Sequence, residues 1–234
     1  MNLPGKQFNA LVFADLADKY HHPCVPVIRD SFAGMAERHA FGLTMTDSIE
    51  TFAKQTFADF DVIVLISGSP TKLDDPKRKE FQDYVKGGGG IVGVHFCFAF
   101  EDAPQWPWWE ELIGRTFKSH PPIQSGVLTN HDPDFPACMH LPAKWLWTDE
   151  WYSFETPFPD HLNVLLTVDE QSYHPRPEDV MGDPHPIAWY HEPHGAKVFY
   201  TAIGHIPMTY KDPVFLQHIF GAMLWAVGER DPQW

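Results

Sequence analysis

The sequence predicts an α/β protein built on a mostly parallel sheet, with additional β-strands in its second half. Continuous β-branched and aliphatic runs at residues 8–15, 60–67 and 90–96 alternate with stretches whose apolar residues recur at helical spacing. Strands that are apolar on both faces need helices on both sides of the sheet, and that arrangement makes the sheet parallel. After residue 115 the pattern changes to short strand-like runs between Pro-rich loops.

Each element follows from its own residues. "FNALVFAD" (8–15) reads as a buried strand with an acidic exit, and "DSFAGMAERHAF" (30–41) as a helix. Asp47 and Glu50 make a capping-box-like start for a second helix in "DSIETFAKQTF". "FDVIVLIS" (60–67) is the next strand, followed by the small-residue turn "GSP". Asp75 is expected to cap a helix with Pro76 at its first position, and Gly87 to end it. "GIVGVHF" (90–96) follows as a strand. The second half offers "GRTFKSHPP", "IQSGVLTNHDPDFP", "TDEWYSFE", "HLNVLLTVDE", "HPIAWYHEP" and "GAKVFYTAIGH" as short strands. Asp212 then caps a closing helix with Pro213 behind it. Phe215, Leu216, Ile219, Phe220, Met223, Leu224 and Val227 form its wide apolar face, and Gly228 ends it. That face needs the same sheet as its partner, so residues 1–234 are expected to form one domain. Neither an internal repeat nor a low-complexity segment interrupts it.

Composition narrows the class of function. Thirty-one acidic against seventeen basic side chains give a net charge of -14, which would repel a phosphate backbone, and no Lys/Arg run offsets it. Nucleic acid is therefore not an expected partner. No apolar run approaches a membrane span, and the first twenty residues lack the features of a signal peptide. Cys24, Cys97 and Cys138 are too widely spaced for a CxxC zinc motif or a disulfide framework. The expected setting is the cytoplasm.

Ligands of open parallel sheets bind outside the carboxyl ends of the strands, so the residues that follow each strand are the candidates. His21 and His22 follow the first strand, "SGSP" the "FDVIVLI" strand, His95 the "GIVGV" strand, and His205 the late strand "VFYTAIG". A single histidine at such a place is most often structural, but several in one sheet make a joint case. Asp149 and Glu150 stand side by side between aromatics, and on a strand only one of them could enter a shared pocket. Six of the nine Trp lie in "EDAPQWPWWEELIG" and "HLPAKWLWTDEWY", where they could stack on sugar rings or fill the core. His120 and His131 sit in loops close to polar partners. His174, His185, His191 and His194 read as scattered surface residues, and His39 as structural. Imidazoles with nearby carboxylates also suit zinc.

Taken together, "YHH", "DVIVLISGSP", "YVKGGGGIVGVHFC", "LIGRTFKSHPP", "TDEWYSF", "PIAWYHEPHGAKVFYTAIGH" and "FGAMLWAVG" resemble the ThuA-like, or trehalose-utilization, family over nearly the whole chain. The resemblance implies a flavodoxin-like three-layer α/β sandwich, similar to class I glutamine amidotransferases, and a role in breaking down trehalose-type disaccharides through 3-keto sugars. Where an amidotransferase carries its nucleophilic Cys, this chain has His95, and "AIGHIP" puts His205 at the place of the catalytic His. "SGSP" resembles the oxyanion loop. With no thiol at the elbow, glutamine amidotransfer is not expected, and Cys97 reads as a small buried hydrophobe. The resemblance thus implies a hydrolase or lyase in which His95 and His205 act as general acid and base, with Glu150 as carboxylate partner. His22, Asp149, His120 and Trp151 would contact the substrate. Alternatively His22, His95 and His205 would hold a divalent metal such as zinc. The expected partner is a small sugar, with homo-oligomerisation open. The competing reading is a sugar-binding protein that does not turn its ligand over.

Overall fold

A computed structural model describes residues 7–15, 24–98 and 106–228. The first half alternates as expected: β1 (Asn9–Ala14), α1 (Val25–His39), β2 (Gly42–Thr46), α2 (Ile49–Ala53), β3 (Val62–Ile66), α3 (Asp75–Lys86) and β4 (Gly90–Val94). α4 (Pro107–Ile113) leads into β5 (Phe117–Ser119), β6 (Gln124–Asn130), β7 (Lys144–Asp149), β8 (Ser153–Phe154), β9 (Asn163–Val168), β10 (Pro186–His191) and β11 (Val198–Thr201). α5 (Pro213–Val227) closes the chain.

Nine strands form one mixed sheet in the order β2-β1-β3-β4-β11-β10-β9-β6-β7. Its core, from β2 to β11, is parallel throughout, with Val64 opposite Val92 and Val92 opposite Phe199. From β11 outward every pairing is antiparallel, so the β-rich second half extends the sheet instead of forming a separate one. β5 and β8 pair apart from it as a two-stranded ribbon.

Two glycines of β4 show how closely helices press on both faces. A Cβ at Gly90 would lie 2.5 Å from the Ala226 carbonyl oxygen of α5, and one at Gly93 would lie 2.7 Å from Ile113 of α4. β4 can run between these helices because it carries no side chain at either position. The aromatic core on the α4 side joins Phe13, Phe52, Phe57, Phe81 and Trp109 through ring contacts.

Several local details differ from the sequence reading. β2 was not expected: only its two ends are buried, so it lacks a continuous apolar run. The capping box of α2 is made by Ser48 and Thr51, not by Asp47 and Glu50. Asp74, one residue before the expected cap, accepts the Lys77 N–H at the start of α3, which puts Pro76 at the second helical position. Asp212 caps α5 as expected, accepting from Val214 and Phe215. Among the described residues no helix is long and apolar enough to cross a membrane.

Candidate functional site

β4 delivers its last side chains to the carboxyl edge of the sheet, and His95 is the first residue beyond it. Its backbone turns sharply there, at φ 56°, in the left-handed region that non-glycine residues seldom adopt. Three backbone anchors hold the turn. The His95 N–H donates to the Thr201 carbonyl, while the His95 carbonyl accepts from the Tyr200 hydroxyl and from the Cys97 N–H. The imidazole is fully buried.

The tautomer follows from the neighbours. His95 Nδ1 lies 2.9 Å from the Ala202 carbonyl, which can only accept, so Nδ1 carries the proton and the neutral ring presents a lone pair at Nε2. Three groups converge on that lone pair. The Tyr152 hydroxyl donates to it at 2.8 Å, His205 Nδ1 stands 3.3 Å away, and Glu150 Oε2 stands 3.5 Å away. Glu150 Oε2 is also 3.3 Å from His205 Nδ1 and 3.7 Å from His120 Nε2 at the more open edge.

Both acidic neighbours serve the site, by different routes. Asp149 ends β7 with its carboxylate fully buried, where it accepts the N–H groups of Glu150, Gly204 and His205 at 3.0–3.1 Å. It thereby clamps the turn that carries His205 and fixes the backbone of Glu150. Burial pushes the Asp149 carboxyl up to about 6 despite these donors. Glu150 is pushed up to about 8, first by burial and then by the charge of Asp149. Among the described residues no lysine or arginine forms an ion pair with either carboxylate; Glu150 instead faces the imidazoles of His95, His120 and His205.

The β5–β8 ribbon carries the outer parts of the site. His120 follows β5 and Tyr152 precedes β8, and their rings approach to 5.5 Å. Asp179 ties the ribbon down, accepting from Ser119 Oγ and forming a two-point pair with Arg176. His185 steadies Tyr152 from behind, with Nε2 donating to the Tyr152 carbonyl and Nδ1 2.8 Å from Glu170.

The structure thus brings together His95, His205, Glu150, Asp149 and His120, while His22 lies outside the described residues. Trp151 is a correction. It is fully buried with its indole against Gly126 and Tyr173, so it fills the core and offers no sugar platform. His185 and His191 are corrected too: both are buried, not surface residues. Asp149 stands behind the cluster as a backbone clamp, not at its open edge as a substrate contact. Cys97 is fully buried and its Sγ lies toward Gly93, where lack of solvation raises the thiol far above its ordinary range. Tyr152 was missed, although the run "DEWY" places it two residues beyond Glu150. Among the described residues, His95, Glu150 and His205 also form a candidate metal centre, their ligand atoms all within 4.8 Å of one another.

Comparison with known proteins relates the chain to a family. A family model described as trehalose utilisation, ThuA, matches residues 9–226. No curated protein matches the sequence. Among solved structures, a ThuA-like protein from Bacteroides uniformis superposes with a TM-score of 0.82 at 22% identity, over 99% of this chain and 96% of that one. A ThuA-like protein from Parabacteroides merdae gives 0.69 at 18% identity, over 96% and 92%. A β-galactosidase from Bacillus circulans sp. alkalophilus gives 0.58 at 10% identity, over 92% of this chain but 30% of that enzyme. At these identities the structural likeness is one of fold.

Proposed function

The chain belongs to the ThuA family, whose description is trehalose utilisation, and on that premise we propose that it is an enzyme cleaving a trehalose-type disaccharide as its 3-keto derivative. The proposal places the reaction in the cytoplasm, with a small sugar as substrate. The observation that carries it is the convergence of His95, His205, Glu150 and Tyr152 on one point at the carboxyl edge of the sheet. Such a set of polar groups, held in fixed geometry by buried backbone bonds, is suited to moving a proton.

The substrate explains why proton transfer suffices. A ketone at C3 acidifies the C2–H bond. A base takes that proton, the C–H electron pair becomes the C1=C2 bond, and the C1–O bond breaks. The departing oxygen takes a proton from an acid. Water then adds, hydroxyl to C1 and proton to C2, so the sum is hydrolysis without net oxidation. The side chains present can serve as proton carriers, or as ligands to an ion that polarises the ketone. Direct hydrolysis by two opposed carboxylates suits the site poorly, because Asp149 is fully engaged with three backbone N–H groups.

Incubating the protein with a 3-keto disaccharide and with the unoxidised sugar, and following released monosaccharide, tests this reading. Release from the keto sugar, abolished in His95→Ala, is the expected result. Saturable binding with no release would replace the enzyme by a sugar-binding protein.

A further inference from the structure

The geometry points to a divalent first-row metal ion, zinc by donor type, held by His95 Nε2, His205 Nδ1 and Glu150 Oε2. These atoms form a nearly equilateral triangle with edges of 3.3, 3.3 and 3.5 Å. That spacing is discriminating. Hydrogen-bonded N and O atoms settle at roughly 2.7–3.2 Å, so every edge is longer than a good direct bond. Two ligands about 2.0–2.2 Å from a tetrahedral ion stand about 3.3–3.5 Å apart, whereas neighbouring ligands of an octahedral ion at the same bond length stand about 3 Å apart. The triangle has the tetrahedral value.

The surroundings agree. A ligating histidine usually donates its other ring N–H to a carbonyl or carboxylate, which fixes ring and tautomer; His95 Nδ1 does this to Ala202. Asp149 holds the backbones that carry both other ligands. Two imidazoles and one carboxylate form the donor set of open catalytic zinc sites, which leave a fourth position to an exogenous oxygen. With the ion on Nε2, the Tyr152 hydroxyl, 2.8 Å away, gives up that lone pair and can donate to such an oxygen. A ketone oxygen in that position would be polarised, which ties the metal to the keto-sugar reading. Metal binding itself, however, is measurable with no sugar present.

The test uses untagged protein, stripped with a chelator, reloaded with Zn2+ or Co2+ and passed through gel filtration before elemental analysis. Wild type is expected to retain about one ion per chain, and the cobalt form to show the intense visible bands of a tetrahedral site. His95→Ala and Glu150→Gln should weaken binding by more than the roughly 10–100-fold lost with an outer partner. His120→Ala and Tyr152→Phe should keep the ion. Zinc should also raise the melting temperature of wild type in a concentration-dependent way, a readout that needs no variant to fold. Wild type that retains no ion, or variants that bind as tightly as wild type, would overturn the proposal. A metal-loaded protein that leaves keto sugars intact would sink the proposed reaction and leave the metal site standing. A metal-free protein that cleaves them would do the reverse.

Discussion

A non-glycine residue at φ 56° costs about 1–2 kcal/mol of backbone strain, and at His95 the bonds to Thr201, Tyr200 and Cys97 hold it in place. What the strain provides is direction, since it swings the imidazole out of the strand and into the cluster. Cys97 lies two residues on, yet its thiol packs back against Gly93. The two should therefore behave differently on truncation. His95→Ala is expected to lose about 10²- to 10⁴-fold in rate, while Cys97→Ala should lose on the order of 1 kcal/mol of stability and little activity. A thiol alkylator that inactivates native wild type faster than it unfolds would contradict this. Asp149→Ala removes the acceptor of three backbone N–H groups. Because it leaves His205 and Glu150 chemically intact, the fall in kcat should exceed any change in KM, a split that steady-state kinetics on the keto sugar would read.

At the scale of the element, the parallel core presents histidines and the ribbon closes over them. The ribbon is short, with two residues in β8, and depends on Asp179 and Arg176 for its anchorage. Arg176→Ala should therefore loosen His120 and Tyr152 without touching the sheet. The expected sign is faster hydrogen exchange confined to residues 117–122 and 151–154, with the melting temperature nearly unchanged; exchange rising evenly across the protein would refute it. The closing helix makes the opposite case, being bound to the core along its length. Asp212 supplies its N-cap, so Asp212→Ala should cost about 1 kcal/mol in urea denaturation.

For the whole molecule, buried imidazoles link stability to pH. His218 and His191 are each held near 4, chiefly by burial. The unfolded chain protonates histidine near 6.5, so between about 6.5 and 4 it binds more protons than the folded state, and stability falls as pH falls. Asp149 and Glu150, raised to about 6 and 8, act in the opposite sense: their contribution is lost as pH rises through those values. A difference measurement separates the two effects. His218→Asn leaves an amide in place of the imidazole that meets the Ala137 carbonyl, and it does not titrate. The stability gap between wild type and variant should narrow by on the order of 2–3 kcal/mol from pH 7 to pH 4. A gap independent of pH would mean that His218 protonates freely in the folded state.

By itself the sequence determined the parallel core and the addresses of its histidines. β1, β3 and β4 are continuous apolar runs, and a run buried on both faces can only be an inner strand. The rule that ligands bind beyond the strand ends located His95 and His205 at two exits of that core, and the geometry puts them together. Tertiary structure alone decided the rest, because those facts are set by residues far apart in the chain. His205 meets His95 across 110 positions, and Tyr152 meets it across 57. The alternation rule allowed one of Asp149 and Glu150 into the site, but β7 ends at Asp149. Beyond the strand that rule lapses, so one carboxylate faces the histidines while the other holds the turn behind them. Trp151 looked like a platform and is core, since an aromatic residue in the short link between β7 and β8 carries no mark of which side the fold will cover. The triangle of donor atoms belongs to the same class: its residue types are legible in the chain, but its 3.3–3.5 Å edges exist only once three separate strand ends have been packed against one another.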